Sequence, residues 1–144
     1  MKHNQLISGL IIAFLTLIGC AENITESAPT VFDNGSGLQS IRAKFSSIQD
    51  SVFTPLCASG NCHGGAVRPE LTAGKAYAQI VNVPNSQNPG LDRIEPGFPE
   101  QSYLLLKISG ENILGTRMPL GLPPLSQSVI DSIQVWIENG ALPD

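Results

Sequence analysis

The sequence predicts an all-α fold. Three observations carry that expectation. Apolar residues recur at three- and four-residue intervals in four separate segments, each bounded by residues that start or stop helices. No stretch alternates apolar and polar residues as a half-buried strand would, and no internal repeat is present. The connecting segments are long and rich in Pro, Gly and Asn, which leaves the helices short.

The first helix is expected in "SGLQSIRAKFSSIQDSVF". Ser36 and Gln39 have capping-box spacing, and Leu38, Ile41, Phe45, Ile48 and Val52 share one face. Pro55 is expected to end it. The second, "TAGKAYAQIV" over 72–81, takes Thr72 as N-cap and turns Tyr77, Ile80 and Val81 inward. Residues 82–99, "NVPNSQNPGLDRIEPGFP", form a loop long enough to be functional or wrapped around something. The third helix is expected over 99–110, "PEQSYLLLKISG". Pro99 stands at its first position, Glu100 and Lys107 match the helix dipole, and Gly110 forms a left-handed cap. Pro119, Pro123 and Pro124 exclude regular structure from "GTRMPLGLPPL", 115–125. The last helix runs from Ser126 as N-cap to Gly140 as C-cap, with Val129, Ile133, Trp136 and Ile137 as its apolar stripe and Ile130 beside it.

The beginning of the chain is organised differently. "MKH" followed by "LISGLIIAFLTLI" reads as the positive and apolar parts of an export signal, residues 1–19. "LIGC", Leu17 to Cys20, resembles the lipobox of bacterial lipoproteins, which implies cleavage before Cys20 and lipid on its sulfur. The protein is then expected to meet the membrane through a lipid anchor rather than span it. Residues 20–36 have no apolar period and read as a tether reaching ~20–25 Å from that anchor. The folded domain is expected over 37–144. Ala21 replaces the acidic residue that would resemble an inner-membrane retention signal. The expected location is therefore the cell envelope, facing periplasm or surface, on the outer membrane of a two-membrane bacterium. The formal net charge is −4 and no basic cluster is present, so nucleic acid is not an expected partner.

With Cys20 assigned to lipid, Cys57 and Cys62 remain as a pair in an oxidising compartment. His63 follows directly, giving "CASGNCH", C-x4-C-H. Three readings fit these residues. Two thiols followed at once by a histidine are the layout for covalent haem, whose usual spacing is C-x-x-C-H. Two extra residues must then bulge between the sulfurs, where Gly60 and Asn61 tolerate positive φ. A Cys57–Cys62 disulfide would close a short ring stabilised by only about 2 kcal/mol and leave His63 without a task. Structural zinc wants four ligands, and only three are here. For haem, His63 is the sole histidine and Met118 the sole methionine after cleavage, so axial ligation would use each once.

The whole layout resembles a small monohaem cytochrome c, particularly the exported cytochrome c-like domains of planctomycetes and proteobacteria. The matching pieces are "CHGG", "AYAQIVNVP", "RIEPG", "SYLLLKISG", "MPLGLPPL" and "IQVWIENGA", spread over about residues 41–142. The departure is the four-residue spacing between the cysteines. The resemblance implies a cytochrome c-like fold of about four short helices with long loops around one covalent haem c. Cys57 and Cys62 would hold the haem, and His63 and Met118 would ligate the iron. Phe45 and Trp136 would meet where the first and last helices cross. Arg93 and Arg117 are candidates for the haem propionates, because guanidinium binds carboxylate as a fork. The implied function is single-electron exchange with a redox partner protein, without bond-making catalysis. The expectation from another class is a disulfide-stapled binding or scaffold lipoprotein without haem.

Overall fold

The computed structural model describes residues 41–144. The expected signal segment, Cys20, the tether and the first five residues of the expected first helix lie outside the described residues.

Helix α1, Phe45–Ile48, continues directly into a π-helical segment, Gln49–Cys57. Both expected boundaries move. Residues 41–44 are not helical, because the Ser47 hydroxyl accepts from the Arg42 N–H at 2.8 Å and the Lys44 N–H turns back to the Arg42 carbonyl. Pro55 lies inside the helical stretch rather than beyond it. In an α-helix, proline leaves the carbonyl four residues back without a donor and clashes with it. Bonding five residues apart moves that carbonyl into register with the next N–H. The Ala58 N–H to Phe53 O bond, 2.7 Å, is of this wider kind.

Helix α2 is shorter than expected, Ala76–Ile80, with Lys75 rather than Thr72 before it. The Thr72 hydroxyl instead donates to the Glu70 carboxylate at 2.8 Å, so a turn precedes the helix. The 82–99 loop doubles back, joined by isolated bridges Val81–Ile94 and Pro84–Asp92, and Asp92 also bridges to Ser102. The third expected helix splits. Pro99–Gln101 is a single 3₁₀ turn, Ser102 is extended, and α3 is Tyr103–Ser109. Ser102 breaks the run because its fully buried hydroxyl bonds the backbone of Glu95 and Phe98. Gly110 caps α3 in the left-handed region, φ 88°, as its position implied. Helix α4, Gln127–Glu138, follows the expected cap at Ser126. The molecule is helical, and its described residues contain no strand beyond the isolated bridges.

The core gathers Ile41, Ile48, Val52, Ile80, Ile94, Val129, Ile133 and Ile137. The Phe45 ring stands 5.2 Å from Tyr77 and 5.7 Å from Trp136 between centroids. Tyr77 Oη and Trp136 Nε1 donate to the carbonyls of Ala141 and Leu142, each at 2.9 Å. Asp144 then takes the Ser46 N–H at 2.7 Å and the Ser46 hydroxyl at 2.6 Å, which ties the residues after α4 to the first turn of α1. No described helix is long and apolar enough to cross a membrane.

Candidate functional site

The segment after the π-helix is shaped by its own backbone. The Cys62 N–H bonds Ser59 O at 3.1 Å, His63 N–H bonds Cys57 O at 3.0 Å, and Val67 N–H bonds Cys62 O at 3.1 Å. Two overlapping turns therefore place Cys57, Cys62 and His63 close together. Gly60 adopts φ 52°, as the bulge required, but Asn61 does not have positive φ. A requirement that the sequence reading missed lies at Gly64. A Cβ there would come within 2.5 Å of the Ala58 carbonyl oxygen, so only glycine allows the chain to fold back this tightly.

These residues line one wall of a cavity of about 340 Å³, a size found among ligand pockets. Met118 lines it from the Pro/Gly loop, and Arg93 from the doubled-back loop. Five of the six residues expected at a haem site thus share one enclosure, although they come from three separate parts of the chain. Phe53, Leu71, Ile80, Leu104 and Ile133 give it a largely apolar interior. Arg117 does not line it. Its side chain packs over Gly110, where a Cβ would meet Arg117 Cδ at 2.6 Å. Arg93 is the arginine at the cavity, and it is anchored by an Nη1 bond to Gln79 O at 2.7 Å. Its remaining N–H groups can take a carboxylate.

Lys107, Tyr103 and Asn85 also line the cavity and were not anticipated. The signal available for Lys107 was its place in the last turn of α3, which the sequence reading assigned to the helix dipole alone. Lys107 Nζ donates to the carbonyls of Leu114 and Thr116 at 2.7 and 3.0 Å. Its own carbonyl accepts from Met118 N–H at 2.9 Å, which positions the Met118 backbone against α3.

His63 Nδ1 lies 2.9 Å from the Pro69 carbonyl oxygen. A carbonyl only accepts, so Nδ1 carries a proton, and in the neutral ring Nε2 keeps its lone pair. A backbone carbonyl that holds the far ring nitrogen is the usual support of a metal-ligating histidine. Cys57 and Cys62 are both free thiols, not joined to each other. Burial, with a smaller contribution from neighbouring Cys62, pushes the Cys57 thiol up to about 12. Cys62 is exposed. Among the described residues, no three His, Cys, Asp or Glu side chains are grouped to hold a bare metal ion. Iron in a porphyrin asks the protein for axial ligands only, and the imidazole and thioether here are of that kind. No protein-family model, curated protein or solved structure matches the chain.

Proposed function

We propose that this protein is a c-type cytochrome-like electron carrier, held in the cell envelope by lipid on Cys20. The observation that carries the reading is the convergence of Cys57, Cys62, His63 and Met118 on one mostly apolar cavity. Haem c joined through thioether bonds to Cys57 and Cys62 would supply an iron that exchanges one electron. His63 offers Nε2 as a ligand, with its tautomer set by Pro69 O. Met118 offers a thioether from a different segment, a ligand that raises the reduction potential. Arg93, which lines the cavity, would take a propionate, and the apolar walls would exclude water from the ring. The chain's own task is to hold, orient and shield, and the substrate is an electron from a redox partner protein.

The test is expression of the full chain together with haem-attachment machinery, followed by intact mass and a visible spectrum. The expected result is a Soret band that survives acid–acetone extraction and an adduct on the peptide spanning Cys57–His63. A colourless protein whose two thiols have become a disulfide overturns the reading in favour of a stapled binding module. In the loaded protein, His63→Ala and Met118→Ala should each alter the spectrum, and Met118→Ala should lower the potential. An unchanged spectrum in Met118→Ala would remove Met118 from the ligand set.

A further inference from the structure

We infer that Gln49 is a positioning residue that sets where Cys57 and His63 stand relative to each other. Gln49 is 5% exposed, and its amide nitrogen reaches two segments. Nε2 donates to Thr54 Oγ1 at 3.0 Å and to the Leu71 carbonyl at 2.9 Å.

The first bond joins residues five apart, across one turn of the π-helical segment. On an α-helix, side chains five apart are rotated by about 140° and do not meet. With roughly 4.4 residues per π-turn they lie within about 50° of each other. The Gln49–Thr54 bond therefore belongs to the π register and supports it. That register decides how directly Cys57 faces the cavity. Val52, Phe53, Leu56 and Cys57 all line it, and the direction midway between Val52 and Phe53 points inward. An α register would turn Leu56 to that direction and rotate Cys57 about 90° away. The π register brings Cys57 to within about 10° of it.

The second bond reaches the segment that holds His63. The Leu71 N–H donates to His63 O at 2.7 Å, and Pro69, two residues earlier, takes the His63 ring proton. One buried amide thus ties the helix that aims the first thiol to the turn that aims the imidazole. Its orientation is forced. A carbonyl only accepts, so the NH₂ group must face Leu71, which leaves Gln49 Oε1 buried without a partner. That orphan is a cost. Methionine would fill a similar volume without it, but would make neither bond.

The relevance of this spacing to cofactor attachment rests on the haem reading above. The coupling itself does not. Native-state amide exchange on the full chain as purified tests it, read at the Ala58 N–H, which bonds Phe53 O, and at the Leu71 N–H, which bonds His63 O. In Gln49→Met both amides should exchange faster relative to the amides of α4: Leu71 by about tenfold, the loss expected when a buried bond is removed, and Ala58 by a smaller factor because the Thr54 bond is only part-buried. Thr54→Val should speed Ala58 and leave Leu71 close to wild type. Ile137→Val, a core change at a residue that does not line the cavity, should raise no selective exchange at either. A uniform change across α4 and the site, or no change, overturns the inference. Should Gln49→Met fail to fold, Thr54→Val decides the question at Ala58 on the same terms. A wild-type protein without haem would sink the functional reading and leave the exchange result standing. A haem-loaded wild type with unaltered exchange in both variants would sink the positioning role alone.

Discussion

Cys57 and Cys62 differ in their surroundings more than in their place in the sequence. Cys57 is packed against the core with its thiol pushed up to about 12, chiefly by burial, while Cys62 faces solvent. This makes the fold sensitive to alkali. The unfolded chain releases the Cys57 proton near the ordinary thiol value of 9.0, whereas the folded chain keeps it until about 12. The stabilising difference is complete below pH 9 and is lost as pH rises toward 12. Urea titrations at pH 8 and pH 10.5 should show wild type losing more stability than Cys57→Ala over that interval; equal losses would contradict the burial of this thiol. Gly64 gives a second prediction. Its absent Cβ would stand 2.5 Å from a backbone oxygen that cannot swing away, so Gly64→Ala should destabilise by about 1–3 kcal/mol in the same titration. Gly65→Ala probes φ strain instead, since nothing lies within 4 Å of the position its Cβ would take.

At the scale of elements, α4 shows what was legible and why. Its apolar stripe repeats at helical spacing and its ends carry Ser126 and Gly140, so local sequence and tertiary packing agree. Ile133→Ala, at a fully buried position that also lines the cavity, should cost about 2–5 kcal/mol. Val135→Ala, on the outer face of the same helix, should stay within about 0.5 kcal/mol, as measured by thermal unfolding. The first helix was legible in its buried residues Ile48 and Val52, with Ile41 buried just ahead of it, but not in its course. Proline usually ends a helix, and the wider turn that accommodates Pro55 is held by Gln49, whose partner Leu71 is distant in sequence. Thr72, expected as a helix cap, and Ser102, expected inside a helix, were misread for a related reason. The Thr72 hydroxyl serves Glu70 and the Ser102 hydroxyl the backbone of Glu95 and Phe98, local bonds that compete with helix formation. That Cys57, Cys62 and His63 lie near one another was legible because they are close along the chain. Arg117, one of the two candidates, adjoins Met118 yet does not line the cavity, because adjacency along a chain does not tell on which side of a loop a long side chain lies.

Over the whole molecule, the residues after α4 return to α1, where the Asp144 carboxylate takes both Ser46 groups. Those bonds hold the Asp144 carboxyl below its ordinary value. A depressed carboxylate contributes stability above its unfolded value of 3.8, and that contribution is lost as pH falls through the lower folded value. Asp144→Ala should lower the melting temperature by a few degrees at neutral pH. The gap from wild type should narrow on the acid side, and a gap independent of pH would show that the carboxylate's charge plays no part. The cavity itself belongs to no single stretch, since its walls run from Val52 to Ile133. On the haem reading proposed above, an excised peptide bearing the two sulfurs and the imidazole would still offer sites of attachment but none of the cavity's distant walls. Anything bound to it would stand open to oxygen and solvent; insulation would come only from segments that lie far apart in the chain.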